Sequence, residues 1–174
     1  MNQIDLLVNQ QAIVLQTPIL NKIMIFITNI GSPELMTALS AVLVVVLFFC
    51  KKKHHALFLI YSMGAGVILT LLIKLIAQRE RPENAIIYAA GYSFPSGHAT
   101  ASIIFFSLLI YAFKDDIKNK LLKNLFIAAN TTLFILIGFS RIYLNVHWLT
   151  DVVAGYALGL LVLTAFFRFF PRIK

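Results

Sequence analysis

Charged residues are scarce in this chain: Asp, Glu, Lys and Arg make up 13% of its 174 residues, whereas 60% are hydrophobic. Soluble domains carry about 25% charged residues, so this composition excludes an ordinary soluble protein. The mean hydropathy of +0.86 is typical of a membrane protein, and the length allows a single domain of several helices. A single cysteine, Cys50, excludes an internal disulfide. The N-terminus, MNQIDLLVNQ, lacks a basic segment and a small-residue cleavage site, which argues against a cleaved signal peptide.

Long apolar stretches are the main feature of the chain. Five of them approach the roughly 20 residues that a helix needs to cross a bilayer. They lie at 34–50, 55–77, 97–113, 124–142 and 147–168. Backbone groups in lipid must form their hydrogen bonds within the segment, so each stretch is predicted to be a helix. The predicted fold class is therefore all-α, a polytopic membrane helical bundle with five transmembrane helices.

The first 30 residues have a different pattern. Their leucines and isoleucines are interrupted by Gln10, Gln11, Gln16, Pro18 and Lys22. This pattern favours amphipathic helices that lie at the membrane interface, and the alternative is a sixth transmembrane helix. We therefore predict one domain over residues 1–174, with an N-terminal interfacial segment at 1–32 and a helical core at 33–174.

Basic residues collect on one side of the predicted bundle. Ten of the 15 Lys and Arg residues follow the first, third or fifth span, namely Lys51, Lys52, Lys53, Lys114, Lys118, Lys120, Lys123, Arg168, Arg172 and Lys174. By the positive-inside rule, this side is predicted to face the cytoplasm. The opposite side is predicted to hold Lys74, Arg79, Arg81, Arg141, His98 and His147. Charged residues close to a membrane core are costly, so this second group is a candidate for function.

Three short motifs occur on that opposite side. The first motif is Lys74 followed, after six residues, by Arg81-Pro82, and the second is Pro95-Ser96-Gly97-His98. The third begins with Ser140-Arg141 and continues, after five residues, with His147 and, after three more, with Asp151. Together they resemble the three-part signature of the type 2 phosphatidic acid phosphatase family, which shares its site with vanadium haloperoxidases. All three parts occur in the family's order and spacing, over residues 74–151. The resemblance implies a helical membrane enzyme that acts on phosphate esters.

The residue types of the motifs suit phosphate chemistry. A transferring phosphoryl group needs positive charge around its oxygens, and Lys74, Arg81 and Arg141 can supply it. A lone cation at a membrane edge more often extends to lipid headgroups, but three cations near two histidines favour a phosphate site. Ser96 and Gly97 begin the third predicted span, where backbone amides bind anions, so both are predicted to contact the phosphate. The alternative role for Ser96 is that of an ordinary helix N-cap.

The two histidines are predicted to be catalytic, together with one carboxylate. His147 and Asp151 are four residues apart and share a helix face if that helix begins near Asn145. A carboxylate bonded to one ring nitrogen leaves the other free to attack, so His147 is the predicted nucleophile that forms a phosphohistidine. His98 is the predicted acid that protonates the leaving group and later activates water. The resemblance implies the same roles. The alternative for His147 and Asp151 is a buried polar pair that stabilises the helix end.

Carboxylates are too few around the motifs for a two-metal site, which needs several converging acidic ligands. Of the seven Asp and Glu residues, only Asp151 lies inside a motif. Glu80 and Glu83 are alternative ligands, but a role in balancing a basic loop suits them better. We therefore predict no metal, no cofactor and metal-independent hydrolysis.

The predicted function is hydrolysis of a lipid phosphate or diphosphate in the bacterial inner (cytoplasmic) membrane, with the site facing the periplasm or the outside. The resemblance implies phosphatidic acid, phosphatidylglycerol phosphate, undecaprenyl diphosphate or the 1-phosphate of lipid A as candidate substrates. The alternatives are a lipid-to-lipid phosphotransferase on the same site, or a non-enzymatic anion-binding or transport protein. The predicted partners are the lipid phosphate substrate and membrane lipids, with no nucleic acid, and the sequence does not indicate an oligomeric state.

Overall fold

The computed structural model describes residues 2–169 as seven helices. In chain order they are α1 (Gln3–Val14), α2 (Pro18–Ile30), α3 (Pro33–Phe49), α4 (Lys53–Ala77), α5 (Gly97–Phe113), α6 (Lys120–Tyr143) and α7 (Leu149–Phe169). No strand occurs within residues 2–169. The predicted all-α helical bundle is confirmed, and α3 to α7 begin and end within four residues of the five predicted stretches.

Short polar side chains determine where several helices begin. Thr17, Ser32, Ser96 and Asn119 each accept a hydrogen bond from the backbone amide three residues later. This contact satisfies one of the free N–H groups at a helix start. In α2 and α3 a proline follows the cap, at a position where its missing N–H costs nothing. The caps therefore fix the positions of the links between helices.

Three helices are individually long and apolar enough to cross a membrane, namely α4, α6 and α7. Together, α2 and α3 meet the same test as one segment that bends by 46°. α5 is a shorter apolar helix of 17 residues, nine of them buried, and it packs against α4, α6 and α7. The chain is a membrane protein. The five-span count, the interfacial position of residues 1–32 and the single domain stay predictions.

The N-terminal helices pack on the bundle beside the motifs. α1 lies against α6 and α7, and α2 lies against α6 and α3. In the link between them, the Gln16 side chain donates to the Tyr143 carbonyl oxygen at 3.0 Å, and the Thr17 amide donates to the Tyr143 hydroxyl at 3.2 Å. Tyr143 ends α6, two residues after Arg141 and inside the third motif. Residues near the N-terminus are therefore brought close to the third motif.

The basic loops and the motifs lie at opposite ends of the bundle. At the basic end, the Lys52 ammonium contacts the Ala112 carbonyl oxygen and the Asp116 carboxylate, so the α3–α4 and α5–α6 links meet. At the other end, the motifs lie in and beside two loops, 78–96 between α4 and α5 and 144–148 between α6 and α7. The predictions for Arg172 and Lys174 concern positions outside the described residues.

Two glycines allow α7 to approach α5 closely. A Cβ atom at Gly155 would lie 2.6 Å from the Ser96 carbonyl oxygen, and one at Gly159 would lie 2.3 Å from a methyl carbon of Ile103. The Thr100 hydroxyl lies 3.1 Å from the carbonyl oxygens of both Ser96 and Gly155. Small residues four positions apart commonly let membrane helices pack in this way. The contact holds the start of α5, and with it the second motif, against α7.

Candidate active site

The three motifs surround one cavity of about 720 Å³ at the end of the bundle opposite the basic loops. Both predicted catalytic histidines, His98 and His147, line this cavity. It is also lined by four predicted phosphate-binding residues, Lys74, Arg81, Gly97 and Arg141. The other two predicted residues, Ser96 and Asp151, are buried, and the Ser96 amide donates to the Asp151 carbonyl oxygen at 2.9 Å. All eight predicted site residues therefore meet in one region.

His147 lies in a turn and not on a helix, so the condition for a shared helix face, a helix that begins near Asn145, is not met. Asn145 has a φ of 53°, in the left-handed region, which interrupts the helical path, and α7 begins only at Leu149. Asp151 lies in the first turn of α7, and its Oδ2 accepts the Trp148 amide at 2.9 Å. The same Oδ2 lies 3.3 Å from His147 Nδ1. The expected pair therefore forms between a turn and a helix start.

Two contacts determine the tautomer of His147. Its Nε2 lies 3.2 Å from Arg81 Nη1, and a guanidinium can only donate a hydrogen bond. Nε2 is therefore the acceptor, and the ring proton of the neutral imidazole is on Nδ1, which faces Asp151. The lone pair of Nε2 is directed toward the Arg81 side of the cavity. This is the orientation that a nucleophilic histidine requires.

Burial keeps His147 neutral at physiological pH. The pKa of His147 is lowered to about 3, and burial is the largest cause. The hydrogen bond to Asp151 opposes this shift, while the positive charges of Arg141 and Arg81 add to it. A neutral ring retains the lone pair that an attack on phosphorus needs.

Arg81 is held by backbone carbonyl oxygens of both site loops. Its Nε donates to Gly91 at 2.9 Å, and its Nη2 donates to Ala90 at 3.0 Å and Tyr92 at 3.2 Å. From the other loop, Val146 accepts from Nη1 at 2.6 Å. Burial lowers the pKa of Arg81, but a guanidinium remains charged at neutral pH. Arg81 is thus a fixed positive charge beside His147.

The other two cations of the cavity, Lys74 and Arg141, lie in the last turns of α4 and α6. The Lys74 ammonium contacts the carbonyl oxygens of Tyr92 and Ser93. Arg141 is buried, and its Nη1 donates to the Thr28 hydroxyl of α2 at 2.7 Å. The Arg141 Nε is also buried and has no hydrogen-bond partner among the described residues. A charged donor without an acceptor is costly inside a protein, so Arg141 is ready to bind an anion.

His98 is the second residue of α5 and lines the same cavity as His147. Its ring packs beside Gly31, at the break between α2 and α3. A Cβ atom at Gly31 would lie 3.2 Å from His98 Cδ2 and 2.4 Å from a methyl carbon of Ile137. Gly31 therefore leaves the space that the His98 ring and its neighbour occupy. No motif or spacing in the sequence indicated this role of Gly31.

Ser96 forms the N-cap of α5, in agreement with its alternative role. Its Oγ accepts the Ala99 amide at 3.5 Å, and the residue is fully buried. Gly97, the next residue, lines the cavity at the start of the helix. Free amides at a helix start favour anions, so this end of α5 suits a phosphate. Phosphate contact by Ser96 stays a prediction.

Arg79, predicted only as one of the cations on this side, and Asp5, for which nothing was predicted, belong to the site region. The Arg79 guanidinium donates to Asp151 Oδ1 and to Asp5 Oδ2, each at 2.7 Å. Asp5 is buried on α1, far from Asp151 in sequence. Two sequence signals indicated Arg79, its charge at the predicted membrane edge and its position between two motif residues in KLIAQRERP.

Metal ligands are not grouped in the part of the chain that the structure describes. Among residues 2–169, no set of three or more His, Cys, Asp or Glu side chains could hold a metal ion. The predicted metal-independent chemistry stays a prediction.

Comparison with known proteins identifies the family of this site. The sequence model of the PAP2 superfamily matches residues 55–174, which include all three motifs. The chain belongs to the PAP2 superfamily. The resemblance to type 2 phosphatidic acid phosphatases is thereby confirmed. The matched residues begin in α4, so α1, α2 and α3 precede them.

Individual PAP2 relatives are similar over most of their length. The chain is 30% identical over 173 residues to phosphatidylglycerophosphatase B of Bacillus subtilis, covering 98% of this chain and 85% of the relative. It is 27% identical over 165 residues to undecaprenyl-diphosphatase BcrC of the same organism, covering 90% of this chain and 78% of the relative. The relatives are lipid phosphatases by name, so the prediction of an enzyme of this class is confirmed.

Solved structures of PAP2 proteins have the same fold. The crystal structure of a transmembrane PAP2 type phosphatidylglycerolphosphate phosphatase from Bacillus subtilis aligns with a TM-score of 0.87 at 27% identity, covering 98% of this chain and 87% of the other. The crystal structure of Aquifex aeolicus LpxE aligns with a TM-score of 0.76 at 22% identity, covering 94% of each chain. The second likeness concerns the fold alone.

Proposed function

We propose that this PAP2 protein hydrolyses a lipid phosphate or diphosphate through a covalent phosphohistidine on His147. The observation that carries the proposal is the orientation of the His147 ring. Its Nδ1 lies 3.3 Å from Asp151, and its Nε2 lies 3.2 Å from Arg81 at the cavity. A neutral imidazole held in this way presents its lone pair beside a cation that can hold the phosphate.

The reaction has two steps. In the first, His147 Nε2 attacks phosphorus, the N–P bond forms as the P–O bond to the lipid breaks, and His98 donates a proton to the leaving oxygen. Asp151 accepts the Nδ1 proton in a hydrogen bond and stabilises the positive ring. In the second step, His98 takes a proton from water, the water oxygen attacks phosphorus, and the N–P bond breaks to release inorganic phosphate.

Positive charge around the phosphate stabilises both transition states. Lys74, Arg81 and Arg141 bind the non-bridging oxygens, with the start of α5 at Ser96 and Gly97 as a further donor site. The unpaired Nε of Arg141 supports this assignment, because a phosphate oxygen would satisfy it. All five N–H groups of Arg81 have acceptors in the structure, so a phosphate oxygen would replace one of them. Lys74 contributes a point charge.

A lipid is the substrate class that suits the rest of the cavity. Its lining continues from the cations to apolar side chains that include Met36, Met63 and Ile104. A phosphate at the cations would thus leave the attached chain in apolar surroundings. The names of the relatives favour phosphatidylglycerophosphate and undecaprenyl diphosphate as the first substrates to test. Because the basic loops are at the opposite end, we assign the site to the outer face of the bacterial cytoplasmic membrane.

The test measures inorganic phosphate release by the purified protein in detergent, from phosphatidic acid, phosphatidylglycerophosphate and undecaprenyl diphosphate, with a metal chelator present. We expect turnover of at least one lipid, and a loss on the order of a thousandfold or more in His147→Ala. A labelled substrate and an alkaline quench are expected to trap phosphate on His147, since phosphohistidine is labile in acid. His54→Ala, at the basic end, is the matched control and should retain full activity.

Three outcomes would count against parts of the proposal. Undiminished turnover by His147→Ala would exclude the phosphohistidine. Complete loss of wild-type activity in chelator would exclude metal-independent hydrolysis. Transfer of the label to a lipid or sugar hydroxyl, without release of inorganic phosphate, would favour the phosphotransferase alternative.

A further inference from the structure

A buried ion network behind the cavity connects α1 to the catalytic pair. We propose that Asp5 and Arg79 are positioning residues for the reaction: Arg79 fixes the carboxylate of Asp151, and Asp5 fixes Arg79 and shares its charge. This inference rests on the proposed function, because the expected effect is on His147 as a nucleophile. Neither residue belongs to the three motifs, and Asp5 precedes the residues that the family matches.

Arg79 connects the loop after α4 to the first turn of α7. Its Nη1 donates to Asp151 Oδ1 at 2.7 Å and to Thr150 Oγ1 at 2.6 Å. Asp151 thus uses Oδ1 for Arg79 and Oδ2 for His147 and the Trp148 amide. Hydrogen bonds on both oxygens fix the plane of this buried carboxylate, and that plane determines how the His147 ring is held.

Asp5 reaches from the first turn of α1 to the start of α7. Its Oδ1 accepts the Thr150 amide at 2.9 Å, and its Oδ2 accepts the Thr150 hydroxyl and Arg79 Nη2, each at 2.7 Å. Burial by itself raises the pKa of Asp5, but the hydrogen bonds from Arg79 and Thr150 outweigh it and lower the pKa below its ordinary value. Asp5 is therefore a charged side chain that caps α7 from another helix.

The charges of the network explain why a second carboxylate matters for catalysis. A guanidinium bound to Asp151 alone would withdraw negative charge from the oxygen that supports His147. Asp5 shares the Arg79 cation, so Asp151 retains the charge that stabilises the positive ring formed during attack. A merely structural role, in which the ion pairs attach α1 to the bundle, would change stability and leave the rate per active site unaltered.

The test compares Asp5→Asn, Arg79→Gln and the double variant with the wild type. kcat and KM are measured on a phosphomonoester, and the burst amplitude gives the concentration of active sites. We expect Asp5→Asn to lower kcat per active site by about 10- to 100-fold, because small misplacements of reacting groups have effects of this size. KM should change by less than about twofold, since the phosphate-binding cations are untouched. Glu83→Gln is the matched control, because it also replaces a carboxylate by an amide, at an exposed position in the loop that contains Arg79. It should behave like wild type.

The double variant tests the coupling between the two residues. If Asp5 acts through Arg79, Asp5→Asn should have little further effect in the Arg79→Gln background. If the decreases in kcat of the two single variants multiply in the double variant, the proposal is overturned. It is also overturned if Asp5→Asn lowers only the unfolding temperature and keeps the wild-type kcat per active site. If Asp5→Asn does not fold, Thr150→Val keeps both charges and removes the hydroxyl shared by Asp5 and Arg79. We expect it to lower kcat about threefold to tenfold, and unchanged kcat would overturn the proposal equally.

The outcome also separates this inference from the proposed function. An inactive His147→Ala together with a fully active Asp5→Asn would reject the positioning role alone. An active His147→Ala would reject the phosphohistidine mechanism itself.

Discussion

The contact between α5 and α7 at Gly155 is predicted to control catalysis as well as stability. A Cβ atom at Gly155 would lie 2.6 Å from the Ser96 carbonyl oxygen, 2.9 Å from the Ala99 Cβ and 3.3 Å from the Thr100 hydroxyl. Two of these atoms belong to main chain or to a Cβ, so they cannot rotate away. Because non-bonded carbon contacts are most favourable near 3.5–4.0 Å, Gly155→Ala is expected to separate the helices by roughly 0.5 Å or more.

That displacement acts on the segment that forms the site. The Ser96 amide donates to the Asp151 carbonyl oxygen at 2.9 Å, and Ser96 is followed by Gly97 and His98. Overpacking of a tight helix contact typically lowers the free energy of unfolding by about 1–3 kcal/mol. Moving His98 relative to His147 by a fraction of an ångström is expected to lower kcat by about 10- to 100-fold.

Gly64→Ala is the matched control for this prediction. Gly64 lies exposed on α4, where a Cβ atom would meet nothing within 4 Å. The same substitution is expected there to leave kcat unchanged and to raise stability slightly, since alanine favours a helix more than glycine does. The measurements are thermal unfolding in detergent and phosphate release at saturating substrate. Wild-type unfolding temperature and kcat in Gly155→Ala would refute the reasoning.

Two further predictions concern single side chains. Because the pKa of His147 is lowered to about 3 from an ordinary value of 6.5, the unfolded chain takes up this proton first as the pH falls. Stability is therefore expected to be greatest above pH 6.5 and to decrease toward pH 3. In His147→Asn, thermal unfolding should show a shallower decrease of stability with falling pH. An equally steep decrease in this variant would contradict the burial argument. Thr28→Val removes the hydroxyl that accepts from Arg141 at 2.7 Å. Because this contact holds the Arg141 guanidinium in place at the cavity, inhibition by inorganic phosphate is expected to weaken several-fold in Thr28→Val, whereas Thr28→Ser should retain it. Equal inhibition constants for the two variants would exclude this role.

The helices of the bundle and the residues of the motifs could be predicted because both are encoded locally. Hydropathy over about 20 residues depends only on neighbours in sequence, and so do the caps that begin α3 and α5. The local feature that differed was the turn at His147, where a helix beginning near Asn145 had been the condition for pairing His147 with Asp151 on one face. Asn145 was the available signal, since asparagine adopts left-handed backbone angles more readily than most residues.

The contacts of the N-terminal helices could not be predicted in this way. Thr28 lies 113 residues before Arg141, and Asp5 lies 145 residues before Thr150. No spacing rule connects positions so far apart, and a single carboxylate or hydroxyl on an amphipathic helix is an ordinary surface feature. Only the packing of α1 and α2 against α6 and α7 gives these side chains a role.

That packing changes how the N-terminal segment is understood. Guanidinium groups buried near a membrane need acceptors, because an unpaired buried charge costs several kcal/mol. The motif residue Arg141 finds one acceptor in Thr28, and Arg79, which holds Asp151, finds another in Asp5. Both acceptors come from helices that precede the family-matched residues. Wherever α1 and α2 lie relative to the bilayer, they complete the electrostatics of a site whose sequence signature begins only at Lys74.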